Sequence, residues 1–172
     1  MKRILILFLL FVLTKANAQN EFAATAFYND FKKIYADAQT GFTVCKGAKR
    51  KAEFEELASE YRAKIMLPLA DSGKVIVPVS GNPYVIYYFE PDKMRLKIDQ
   101  LGVNLRDAVV TTFDKLLYTR AETTIINNYP FTNTLYFTEP VENPTATAVF
   151  RQCIYFSNGK YYLSFEIRGK KE

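Results

Sequence analysis

Cys45 is one of two cysteines in the chain and stands immediately before four basic residues within six positions, Lys46, Lys49, Arg50 and Lys51. A thiol beside positive charge is where a thiolate is stabilised, and a glycine followed by a Lys/Arg run can hold an anion. Glu53, Glu55 and Glu56 answer the bases at once, so residues 46–56 total only +1. Lys49 and Glu53, like Lys51 and Glu55, stand four apart and would neutralise one another on a helix. The composition favours a solvated loop and helix face over an anion site.

Two other groupings could do chemistry. Ser72 and Lys74, in the stretch Asp71 to Lys74, offer a nucleophile and a base, although Asp, Ser and Gly together are also ordinary turn residues. Glu90, Asp92, Glu139, Glu142 and Glu166 could supply a carboxylate pair for acid–base work, but no spacing signature links them. The chain contains no histidine. That excludes Ser-His-Asp and Cys-His couples, HExxH metal sites and imidazole proton shuttles, and two cysteines cannot build a four-thiolate zinc site. A carboxylate pair, a Ser-Lys dyad, a lone thiol or an oxygen-ligand calcium site remain as chemistries that need no imidazole. No catalytic or cofactor motif is present, and no cofactor or metal is expected.

The residues most in surplus are aromatic, 12 Tyr and 14 Phe with no Trp. In the run Tyr84 to Phe89 the alternation sends Tyr84, Ile86 and Tyr88 to one side and Val85, Tyr87 and Phe89 to the other. Tyr155 and Tyr162 leave the core in the same way. An aromatic, nearly uncharged sheet face suits a protein or small-ligand partner. The competing expectation is that a long loop over residues 127–146 covers it.

These groups must be positioned by elements readable from periodicity. Phe27, Phe31, Ile34, Tyr35, Ala38, Phe42 and Cys45 recur at three- and four-residue steps, which predicts an amphipathic helix from Glu21 to Lys46 with Gly47 as its cap. Gly41 interrupts the stripe and either kinks the helix or ends it early. A short helix around Phe54, Leu57 and Ala58 follows, then a strand over Tyr61 to Leu69. Asp71, Ser72 and Gly73 turn into a strand Lys74 to Val79, where Pro78 implies irregularity or pairing on one side only. Ser80 to Pro83 turn into the strand Tyr84 to Phe89.

Leu96 to Leu117 reads as a second long helix, with Asp92 placed to cap its start. Thr123 to Ile126 and Thr134 to Thr138 read as strands. The chain closes on a hairpin around Ser157-Asn158-Gly159, followed by a frayed tail from Gly169. The expected architecture is α+β: a two-layer sandwich of a mainly antiparallel sheet with two long helices on one face, in the order α, short α, βββ, α, then three or four strands. The two halves share a helix-then-strands layout.

The first residues carry a charged start at Lys2 and Arg3, ten apolar residues from Ile4 to Leu13, and a small-x-small site ending at Ala18. This predicts a secretory signal peptide over residues 1–18, cleaved between Ala18 and Gln19, and one domain over residues 19–172. The apolar run is well short of the ~20 residues a spanning helix needs, so the mature protein is expected to have no transmembrane segment. Removing Lys2, Arg3 and Lys15, with no acid among residues 1–18, lowers the formal charge from +5 to +2. Nucleic acid is therefore not an expected partner.

Export to a periplasmic or extracellular compartment makes a Cys45–Cys153 disulfide chemically feasible, and in the chain-entropy model such a loop is worth up to about 4.7 kcal/mol. Cys45 falls on a buried stripe. Cys153 lies on the less apolar side of its strand, with Val149, Arg151 and Tyr155, so two separate buried thiols are the alternative. The sequence thus leads to an exported, non-enzymatic binding domain of the bacterial envelope. Its alternatives are a small carboxylate- or Ser/Lys-dependent hydrolase, and an inhibitor or immunity-like protein acting on a secreted enzyme.

Overall fold

A computed structural model describes residues 26–52, 54–113, 117–140, 142 and 147–170. The predicted signal peptide and the predicted Ala18–Gln19 cleavage site lie outside the described residues, as do Leu116 and most of the loop around Pro140 and Pro144. The fold is α+β, with two helices against an eight-stranded antiparallel sheet. Residues 26–38 form α1. β1 (Lys46–Arg50), β2 (Ala58–Ala63), β3 (Ala70–Pro78) and β4 (Tyr84–Phe89) follow as a meander, then α2 (Arg95–Thr112). A second meander closes the chain, β5 (Tyr118–Ile126), β6 (Tyr129–Phe137), β7 (Phe150–Ser157) and β8 (Lys160–Arg168).

The strand order β1-β2-β3-β4-β8-β7-β6-β5 shows what the repeated layout does. Each half is a helix and a four-stranded meander, and the last strands of the halves, β4 and β8, pair at the centre. The first strands, β1 and β5, become the two edges. Among the described residues no helix is long and apolar enough to cross a membrane.

Both helices lie on one face. Phe31 and Tyr35 of α1 and Phe113 at the end of α2 all meet the Phe150 ring, with centroids 5.3, 5.6 and 5.2 Å away. Val75, Val85, Tyr87, Leu163, Phe165 and Ile167 complete this side, each almost wholly buried. Burying such side chains supplies most of the stabilisation of a domain this size, about 1.5–3 kcal/mol each before entropy is subtracted. Ile98, Gly102, Leu105, Val109 and Thr112 are the buried positions of α2, the spacing of one helical stripe.

Several local expectations change. The first helix ends at residue 38, because Gly41 and Phe42 both take left-handed backbone angles, φ 69° and 62°. Gly41 ends the helix early, and the stripe continues through Phe42 and Cys45 because the turn keeps both side chains pointed into the core. Gly47 is then no helix cap. It lies in β1, where an added Cβ would stand 2.6 Å from the Arg62 carbonyl oxygen. The basic run is accordingly an edge strand, not a helix face, so the four-residue Lys–Glu pairing on a helix does not arise. The short helix shrinks to one turn, closed by Leu57 and Ala58 N–H donating to the Phe54 carbonyl at 3.0 and 3.1 Å.

β2 begins earlier than expected and stops at Ala63. The turn before β3 lies at Pro68 and Leu69, whose φ is 67°, and Asp71 to Gly73 run within β3 past a register shift between Ala70 and Ser72. Gly73 serves packing and not turning, since an added Cβ would meet the Tyr87 ring at 2.8 Å. Pro78 pairs with Ala58 of β2 and lies beyond the β4 register, as its missing donor requires. Asp92 Oδ1 accepts the Met94 N–H at 2.7 Å just ahead of α2. Residues 129–137 form β6 instead of a covering loop, reached through Asn127 and Asn128, both at positive φ in a two-residue hairpin turn. The tail is tied down as far as Lys170, with Gly169 N–H donating to Pro83 O and Lys170 N–H to Ala38 O, both 2.8 Å.

Candidate functional site

The face of the sheet away from the helices gathers the predicted residues. Alternation along β4 points Tyr84, Ile86 and Tyr88 outward, since Val85, Tyr87 and Phe89 face the core. On β7 the same rule turns Arg151, Cys153 and Tyr155 outward opposite Phe150, and on β8 it does so for Tyr162, Ser164, Glu166 and Arg168. Unbroken register brings these together: Tyr88 stands opposite Ser164, Ser164 opposite Cys153, and Tyr155 opposite Tyr162. The Tyr155 and Tyr162 rings stack at 5.2 Å with planes 9° apart. All four tyrosines are half-buried.

Charges on this face are matched in pairs. Lys74 Nζ donates to Glu60 Oε2 at 3.3 Å and also lies 5.8 Å from the centre of the Tyr88 ring. Glu166, almost fully buried, accepts Arg168 Nε at 2.7 Å and lies 3.9 Å from an Arg151 guanidinium nitrogen. Arg151 Nε donates in turn to Asn133 Oδ1 at 2.9 Å, and the Cys153 thiol reaches the same oxygen at 3.3 Å. Burial pushes the Tyr84, Tyr88 and Tyr155 phenols above their ordinary value, with nearby Glu166 and Glu60 adding to the first two and Tyr88 to the third. Each therefore stays a protonated hydrogen-bond donor at neutral pH.

Two hollows share Glu60, Lys74 and Tyr88. One, of about 230 Å³, lies between Tyr84, Ile86 and Tyr88 and a wall made by Ala52, Phe54 and Leu57. The other, of about 280 Å³, opens beside Arg50, Lys51 and Ser72. The wall comes from the single turn between β1 and β2, which leaves Phe54 and Leu57 largely exposed above the sheet.

The catalytic groupings fare differently. Ser72 and Lys74 both project onto the open face, but the Lys74 ammonium is engaged by Glu60. Asp92 is joined to Lys97 at 3.1 Å and bridges its backbone to Tyr161, far from a shared site with the Arg-bound Glu166. Among the described residues no group of three or more His, Cys, Asp or Glu could hold a metal ion.

Both thiols are free and buried. Cys45 packs in the core under the helices, whereas Cys153 alternates with Gln152 and Ile154, the pair that approaches Gly102 of α2, and so occupies the opposite side of the sheet. Burial first, then the hydrogen bond and charge of Asp37, push the Cys45 thiol up to about 12, the reverse of an activated thiolate. Asp37 is the residue that periodicity did not flag. Its carboxylate accepts the N–H groups of Val44 at 2.9 Å and Cys45 at 2.6 Å and the Thr43 hydroxyl at 3.2 Å. Burial raises its pKa, and those bonds outweigh it, holding the carboxyl below its ordinary value. A carboxylate seven or eight residues before the groups it caps leaves no short-range sequence signal. Comparisons with protein-family models, with curated proteins and with solved structures each find no match, so the site is read from its own geometry.

Proposed function

We propose that the chain is an exported, non-enzymatic domain of the bacterial cell envelope that binds a partner through the helix-free face of its sheet. One observation carries this reading: Tyr84, Tyr88, Tyr155 and Tyr162 all project onto that face, where Tyr84 and Tyr88 line the hollows and Tyr155 stacks on Tyr162. Half-buried tyrosines offer rigid apolar area with a donor at the tip, a composition that interfaces favour. The signal sequence supports placement outside the cytoplasm. Intact mass of the exported protein should then show an N-terminus at Gln19.

Binding is tested by titrating isotopically labelled protein with native envelope extract. Amide resonances of β4, β7 and β8 should shift, and the Tyr88→Ala/Tyr155→Ala variant should lose the response while keeping its fold. Shifts confined to the helices, or unchanged in that variant, would overturn the assignment.

A further inference from the structure

The two edges of the sheet are built differently. β1 is five residues long, carries Lys46, Lys49 and Arg50, and shifts register against β2. Short length, positive charge and a bulge are the devices by which an edge strand refuses a neighbour. β5 lacks the short length and the bulge, and its one positive charge, Arg120, is balanced within the strand by Glu122. It is nine residues long, pairs with β6 through nine consecutive positions without a shift, and is exposed at every position after Tyr118. Among the described residues α2 packs chiefly on β7 and β8, and β5 stays exposed beyond Tyr118.

We propose that β5 is a self-association edge, pairing antiparallel with β5 of a second copy about a twofold axis at Ala121. The two-residue turn makes Ile126 and Tyr129 the hydrogen-bonded closing pair of the β5–β6 hairpin. Alternation from there directs the N–H and C=O of Thr119, Ala121, Thr123 and Ile125 away from β6, toward the free edge. Pro130, opposite Ile125, fits this phase because that position asks no donor of it toward β5.

Charge then selects the register. Arg120 and Glu122 project from the same face, where they now pair within the strand at 2.9 Å. A twofold at Ala121 sets Arg120 of each copy opposite Glu122 of the other, in the non-hydrogen-bonded positions where cross-strand side chains come closest. A twofold at Arg120 or Glu122 would instead oppose like charges. At Thr119 or Thr123 both ion pairs would be lost. The Ala121 register also matches Thr119 with Thr123 and Leu117 with Ile125, and supplies roughly six main-chain hydrogen bonds. Because the axis stands normal to the sheet, both tyrosine faces point to the same side, although the pairing does not depend on what those faces bind.

The test is sedimentation equilibrium of the mature chain from micromolar to near-millimolar concentration. The expected result is a monomer–dimer equilibrium that Arg120→Glu or Glu122→Arg weakens by about tenfold or more, and that the Arg120→Glu/Glu122→Arg double swap restores. Ala121→Pro should abolish the dimer while leaving the circular dichroism of the monomer intact, since the N–H it removes does not serve β6. A chain that stays monomeric throughout, a dimer indifferent to both single reversals, or a double swap without recovery would each overturn the proposal. So would an edge that takes up a foreign peptide but never a second copy.

Discussion

The two faces of the sheet solve burial in opposite ways. The helix side is an aromatic and aliphatic core in which Phe31, Tyr35, Phe113, Phe165 and Tyr136 surround Phe150. The open side buries Ser164, Glu166 and Cys153 as well, yet neither of the two described helices covers it. There long side chains of the sheet meet one another, Arg151 reaching Asn133 and Glu166 on the strands to either side, Tyr155 stacking on Tyr162, and Arg168 bonding Glu166 along its own strand. Apolar surface against helices needs only shape, whereas polar surface under a thin cover needs each charge matched, as Glu166 is. The first face is committed to stability, and the second retains groups that a partner can meet.

The largest effect should come from breaking the helix side. Phe150→Ala leaves a cavity bounded by both helices and is expected to cost about 3–5 kcal/mol, read as a fall in the midpoint of urea unfolding. Next is the clamp that joins α1 to β1. Asp37→Asn keeps one acceptor and loses the charge, at a cost of about 1.5–3 kcal/mol at neutral pH. The sign of its pH dependence follows from a folded-state pKa held below the ordinary 3.8. The stabilisation is complete above that value and is lost as the pH falls below it, through the folded pKa. Wild-type stability should therefore decline more steeply on acidification than that of Asp37→Asn.

How much of this comparison the sequence made legible depends on how local the cause was. α2, β4 and the β7–β8 hairpin are written in periods of 3.6 and 2 with ordinary turn residues and were readable to within a few residues, except that α2 stops at Thr112 with Phe113 extended, short of the expected end at Leu117. The outward placement of Tyr84, Tyr88, Tyr155 and Tyr162 followed from the same alternation. β1 was hidden because Phe42 and Cys45 continue the helical spacing through a left-handed turn, so a buried stripe persisted after the helix had ended. The Asp71 to Gly73 stretch carries turn composition inside a strand because Gly73 must admit the Tyr87 ring, a contact made across β3 and β4. The β5–β6 hairpin was read only in part, as two separate strands over Thr123 to Ile126 and Thr134 to Thr138, for a related reason. Its turn is Asn-Asn, and Pro130 in the returning strand argues against a strand unless the position is known to need no donor.

On the open face the effects should be smaller and should separate stability from binding. Glu166→Gln leaves Arg151 and Arg168 without their shared carboxylate, but both arginines are a third or more exposed and regain water. A cost of about 1–2 kcal/mol is expected, less than for Phe150→Ala although both residues are buried. A loss equal to the core variant's would show that the thin cover is as dry as the helix interface.

Smallest of all should be the tyrosine stack. Tyr155 and Tyr162 are half-buried and stand in parallel contact, so their coupling in a double-mutant cycle should be about 0.5–1 kcal/mol, the usual worth of an exposed-side aromatic pair. Each single alanine variant should remain folded at room temperature with an unfolding midpoint close to wild type. The contrast with Phe150 is informative because both are aromatic residues of β7, two strand faces apart in environment but five residues apart in sequence. If Tyr155→Ala destabilises as much as Phe150→Ala, the open face is a second core and its tyrosines are there for packing. If the stack is worth little to stability, while the same substitution removes the response to envelope extract, the aromatic residues there act in recognition rather than in holding the sheet together.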